Sequence, residues 1–149
     1  MSKVIEADFL PRETDVAFSW LDSIGTFGRR ILIVDNDKNT THLLKILLEK
    51  TGRYLVFEEN DSAKAQQSAR NFRPDLILLE AAMPKRDGDE IAAQAHGDAN
   101  LRNIPVIFLT ALVASPGLRT DGHRFLAKPI NIQELIKAIE ENLLARPSS

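Results

Sequence analysis

Two runs in this chain leave almost nothing to face water: "DLILLE", residues 75–80, and "IPVIFLTAL", residues 104–112. Neither shows the alternation of a half-exposed strand, and both are short for a helix. Strands apolar on both faces belong to parallel sheets covered by helices above and below. The remaining pattern agrees. "ILIVD" (31–35) and "YLVFEE" (54–59) are further β-type runs. Between and after the strands lie "TTHLLKILLEKTG" (40–52), "NDSAKAQQSARNF" (60–72) and "NIQELIKAIEENLL" (131–144). Their apolar residues recur at helical spacing: Leu43, Leu44, Leu47 and Leu48 in the first, Ala65, Ala69 and Phe72 in the second. In the third they are Ile132, Leu135, Ile136, Ile139 and Leu143. Gly52 is placed to stop the first helix, Asn60 to cap the second, and Asn131 with Glu134 to form a capping box on the third. Strands alternating with amphipathic helices predict an α/β fold with helices on both faces of a parallel sheet.

The totals narrow the function. A chain of 149 residues holds one ordinary domain and a tail. A net charge of −2 supplies no basic excess for nucleic acid or anionic membrane. The absence of Cys removes disulfides, thiolate metal sites and thiol nucleophiles. No apolar stretch approaches the roughly 20 residues of a membrane helix. The N-terminus "MSKVIEADFLPRETD" is too acidic for a secretory signal, so a cytoplasmic protein is expected. Nor is an enzyme expected. "GTFG" (25–28) precedes the first strand and so cannot be a phosphate cradle, and no nucleophile–base pair is evident, which argues against a small α/β enzyme or nucleotide binder. His42, His96 and His123 have no ligand spacing and read as solvated or core-edge residues. "NDSAK" and the paired glutamates read as solvated margins.

Functional groups of a doubly wound sheet collect beyond the C-terminal ends of its strands. Here those ends carry Asp35, Asn36 and Asp37, then Glu80, then Thr110 and Ala111, then Lys128 followed by Pro129. Carboxylates suit Mg²⁺, while a hydroxyl and an ammonium suit phosphoryl oxygens.

"ILIVDND", "DLILLEAAMPKRDG", "IPVIFLTA" and "FLAKPI" resemble, in order, the four signature segments of a response-regulator receiver domain. The resemblance spans residues 29–146, leaving 1–28 as an N-terminal extension and 147–149 as a tail. It implies a flavodoxin-like, five-stranded sheet in the order 2-1-3-4-5 and a role in two-component phosphorelay signalling. It places Glu80 at the phosphoacceptor position, where the family carries Asp. It places Asp35 and Asn36 on the acidic Mg²⁺-binding pair and adds the Ala82 carbonyl as a metal contact. Thr110 becomes the switch hydroxyl, Phe125 the switch aromatic and Lys128 the phosphoryl-contacting lysine, with a cis bond before Pro129. The expected partners are a sensor histidine kinase or a downstream signalling protein, and a homodimer is a further option.

The departures share a direction. Glu80 carries one methylene more than Asp, about 1.5 Å of reach. Asn36 removes a formal charge from the metal pair, so a Mg²⁺ site would be weak or absent. Asp37 stands nearby without a clear role. Glu80 could imitate part of a phosphorylated state, or pair with Lys128 and hold a resting shape. Either role predicts an atypical receiver, and a chain of 149 residues with no room for an output domain is expected to stand alone and act through protein contacts. The competing reading is a receiver that still accepts phosphate slowly. Lys128 follows Thr110 by 18 positions, fewer than the resemblance implies, and "LVASPGLRTDGHR" contains Pro116, Gly117 and Gly122. The fourth helix is therefore expected to be short or irregular. In the extension, "TDVAFSWLDSIG" (14–25) would place Val16, Ala17, Trp20, Leu21 and Ile24 on one helical face. It reads either as a tail or as a docking helix.

Overall fold

The structure, a computed structural model, describes residues 28–83, 87–110 and 124–145. The extension and the segment expected to hold a short fourth helix lie outside these residues.

Five parallel strands form one sheet in the order β2-β1-β3-β4-β5: β1 (Arg29–Val34), β2 (Tyr54–Glu59), β3 (Leu76–Glu80), β4 (Val106–Thr110) and β5 (Arg124–Ala127). The helices are α1 (Lys38–Glu49), α2 (Ala65–Phe72), α3 (Gly88–His96) and α4 (Ile132–Ala145), with a 3₁₀ turn at Ser62–Lys64. This is the doubly wound arrangement expected.

The apolar strands are apolar because each face meets its own core. Ile31, Ile33, Leu76 and Leu78 pack with Leu44 and Leu48 of α1 and Leu135 and Ile139 of α4. The alternate residues Leu32, Val34, Ile77 and Leu79 pack with Ala65 and Ala69 of α2 and Ile91 and Ala95 of α3. A polar residue inside β3 would therefore be buried whichever way it pointed.

The buried stripe of α1 is Thr41, Leu44 and Leu48, whereas Leu43 points outward with 56% of its surface exposed. At 100° per residue, Leu43 and Leu44 cannot both face the sheet squarely. Two local expectations are corrected. Asp61, not Asn60, caps the turn entering α2, accepting from the Ala63 amide. Nor are the paired glutamates of β2 solvated margins. Glu58 accepts from the Thr41 hydroxyl at 2.7 Å, and Glu59 accepts from the Asp61 amide and the Ser68 hydroxyl. The Asn131 cap holds as expected, its side chain accepting from the Glu134 amide.

Strand β2 is an edge, and α1 satisfies the middle of it. Lys45 Nζ donates to the Val56 carbonyl and Glu49 accepts from the Val56 amide, which occupies the mid-strand pair of groups a foreign strand would need.

Asp98, after α3, accepts from the Asn100 amide, Arg70 Nε and Gln66 Nε2. The Asn100 amide, then Arg70 and Gln66, hold its carboxyl below the ordinary value of 3.8. A depressed carboxyl lends stability that is complete above the unfolded value and is lost as pH falls through the folded one. Thermal unfolding should therefore show Tm falling below about pH 3.8, and Asp98→Asn should flatten that decline.

Candidate functional site

The register of the sheet builds the site. Val34 of β1 pairs with Leu79 of β3, so Asp35 and Glu80, one step further, emerge side by side at the C-terminal rim. Thr110 ends β4 opposite Ala127 of β5, and the Lys128 amide donates to the Thr110 carbonyl at 3.1 Å. The Lys128–Pro129 bond is cis, as expected.

Lys128 bridges the rim. Its Nζ lies 2.7 Å from Asp35 Oδ2 and 2.5 Å from Glu80 Oε1. The second oxygen of each carboxylate is held by backbone: Asp35 Oδ1 accepts from the Asp37 amide, and Glu80 Oε2 accepts from the Ala82 amide. Asp35 is 2% exposed, Glu80 7% and Thr110 0%, while the Lys128 side chain keeps 23%. Burial opposes the ammonium charge, and the hydrogen bonds and field of Asp35 and Glu80 outweigh it, so the Lys128 pKa stands above its ordinary 10.5. The stability it lends is complete below that value and is lost only as strongly alkaline pH passes the folded pKa.

The remaining predicted residues divide. Asn36 is exposed, and so is Ala82. Asp37 is spent on α1: its carboxylate caps the helix, accepting from the Asn39 amide and the Thr40 hydroxyl, and the Thr40 bond leads in depressing its pKa. Phe125 is half-buried and stacks on Phe108 with ring centroids 4.9 Å apart, a packed aromatic rather than a free one.

A family model described as the response regulator receiver domain matches residues 31–140. The chain belongs to this family. The receiver is 34% identical over 114 residues to the DNA-binding dual master transcriptional regulator RpaA of Synechocystis, covering 74% of this chain and 47% of RpaA. It is 30% identical over 119 residues to the polar-differentiation response regulator DivK of Brucella anthropi, covering 77% of this chain and 96% of DivK. The chain thus spans about half the length of some curated relatives and nearly all of others. The receiver domain of a Pseudomonas aeruginosa sensor histidine kinase superposes with a TM-score of 0.70 at 27% identity, covering 79% of this chain and 99% of that one. That structure has a magnesium ion coordinated in its active site cleft.

In this receiver the donors for a hard cation are two buried carboxylates, Asp35 and Glu80. Among the described residues no group of three acids or histidines could hold a metal. The two carboxylates fit Mg²⁺ as a weak site, because the cation must share them with the Lys128 ammonium already placed between them. No described helix is long and apolar enough to cross a membrane.

Two supporting residues were missed in the sequence. Asn60 donates from Nδ2 to the Asp35 carbonyl at 2.7 Å and to the Thr41 hydroxyl at 2.9 Å, tying the end of β2 to the acidic turn. A polar residue after a strand is a weak signal, and it reads equally well as a cap. Gly88 packs directly on the end of β3: a Cβ there would lie 2.4 Å from the Glu80 carbonyl oxygen and 2.8 Å from Ala81 Cα. Its amide donates to the Ala81 carbonyl at 2.9 Å. Gly88→Ala must push backbone against backbone, so it should destabilise by about 1–3 kcal/mol in denaturant unfolding. An unchanged midpoint would show that the loop yields freely.

Proposed function

We propose that this chain is an atypical receiver in phosphorelay signalling whose conformation is set by a permanent Glu80–Lys128 ion pair rather than by phosphorylation. The observation that carries it is the 2.5 Å contact between Glu80 Oε1 and Lys128 Nζ. In this reading Glu80 occupies the phosphoacceptor position. Its longer side chain already delivers a carboxylate to the lysine, thread by thread with the Asp35 contact, where a phosphoryl group would otherwise be received. Signal then passes through protein contacts with a histidine kinase or a downstream protein. Asp35 and Glu80, with the Ala82 carbonyl and the Asn36 amide, would hold Mg²⁺; its chemistry is to neutralise phosphoryl oxygens. Thr110 and Lys128 would contact those oxygens, and Phe125 would follow by packing against Phe108.

The test is intact mass after incubation with a small phosphodonor and Mg²⁺. The expected result is unmodified protein. Addition of one phosphoryl group, mapped to Glu80, would support instead the reading in which the receiver accepts phosphate slowly.

A further inference from the structure

The edge of the sheet beside α2 carries an apolar groove that the described fold leaves open. Tyr54 and Val56 of β2 turn into the core, and the alternate residues Leu55 and Phe57 turn the other way, 53% and 43% exposed. Phe72, at the end of α2, meets Phe57 with ring centroids 5.5 Å apart, and the Arg30 guanidinium lies 5.8 Å over the Phe72 ring. Arg30 pairs directly with Leu55 across the strands. The four side chains form one continuous surface on the face of the sheet that α2 covers. With eight residues, α2 touches β2 through Phe72 on Phe57 and Ser68 on Glu59, yet leaves Leu55 and Phe57 about half exposed.

The described chain begins beside this surface. The Gly28 amide donates to the Arg53 carbonyl at 2.7 Å, and Arg29 pairs with Tyr54. Gly28 has φ +72°, a left-handed conformation that glycine adopts without steric cost. The 27 residues before it include the stripe Val16, Ala17, Trp20, Leu21 and Ile24. From Gly28 back to Ile24 an extended chain reaches about 14 Å. Tyr54 to Phe57 spans about 10 Å along the strand. A helix over residues 14–25 would be about 18 Å long, enough to lie along both exposed residues.

We infer that residues 14–25 of this same chain dock as an amphipathic helix in the groove formed by Leu55, Phe57, Phe72 and Arg30. The helix runs antiparallel to β2, with Ile24 near Leu55 and Trp20 against Phe57 and Phe72. It covers the apolar side chains of β2 that α2 leaves about half exposed. This inference is independent of the role of Glu80.

Trp20 is the sole tryptophan, so its fluorescence reports docking directly. In the full chain its emission should be blue-shifted relative to the urea-unfolded chain and resist acrylamide quenching, independently of protein concentration. Phe57→Asp should shift the emission to the red and raise quenching several-fold. Leu21→Asp, which lies outside the folded strands and helices described, should do the same while leaving the far-ultraviolet circular dichroism of the sheet intact. A fully solvated Trp20 in the unaltered chain would overturn the inference. So would protection that vanishes on dilution together with a doubled mass in light scattering, which would assign the groove to a second copy. Protection that survives both substitutions would place Trp20 elsewhere and overturn it equally.

Discussion

Lys128→Met should lower the stability of this receiver by about 3 kcal/mol, because it strips the cation from two buried carboxylates at once. Asp35 and Glu80 are 2% and 7% exposed, and each contributes an oxygen to the same ammonium. The value is set at the low end of the range for buried pairs because the Lys128 side chain keeps 23% of its surface in water, which screens the interaction. Such a loss corresponds to a fall in Tm of roughly 10 °C for a domain of this size. Combining Lys128→Met with Glu80→Gln should restore part of the loss, since only Asp35 then stays uncompensated, and a double-mutant cycle would report the coupling. A loss below about 0.5 kcal/mol would mean that the three groups behave as a surface ion pair.

Glu80→Asp should convert the protein into a phosphate acceptor. Removing one methylene draws the carboxylate back about 1.5 Å from the lysine. That opens the space beside Lys128 Nζ in which a phosphoryl group can sit. Placement errors near 1 Å cost on the order of a hundredfold in rate, so incorporation from a small phosphodonor with Mg²⁺ should rise by at least about that factor. Asn36 sets the ceiling: Glu80→Asp with Asn36→Asp returns the second carboxylate to the metal pair and should accept phosphate at lower Mg²⁺ concentration. Incorporation by neither variant would locate the defect outside both positions.

Strands β3 and β4 were legible because their full apolarity has a single cheap explanation, burial on both faces. The convergence of Asp35, Glu80 and Lys128 was legible for a related reason. All three end or follow strands, and parallel strands deliver their ends to one rim. The placement of Asp37 was not, because an acid one residue from a metal position and an acid capping a helix look alike until the start of α1 is known. The exposure of Leu43 was not legible, because leucine at helical spacing does not state the width of the buried face. The roles of Asn60 and Gly88 were not legible for a deeper reason. Each matters through a contact between segments 25 and 8 positions apart, the Asp35 carbonyl for one and the Glu80 carbonyl for the other.

The central claim, that the Glu80–Lys128 pair fixes this receiver's conformation, is tested most directly by amide NMR. The resonances of Thr110, Phe125 and Lys128 are followed while Mg²⁺ and a small phosphodonor are added. No phosphodonor-dependent shift is expected at these positions in the unaltered protein, and clear shifts are expected at all three in Glu80→Asp. Shifts in the unaltered protein that require both Mg²⁺ and the phosphodonor would contradict the claim.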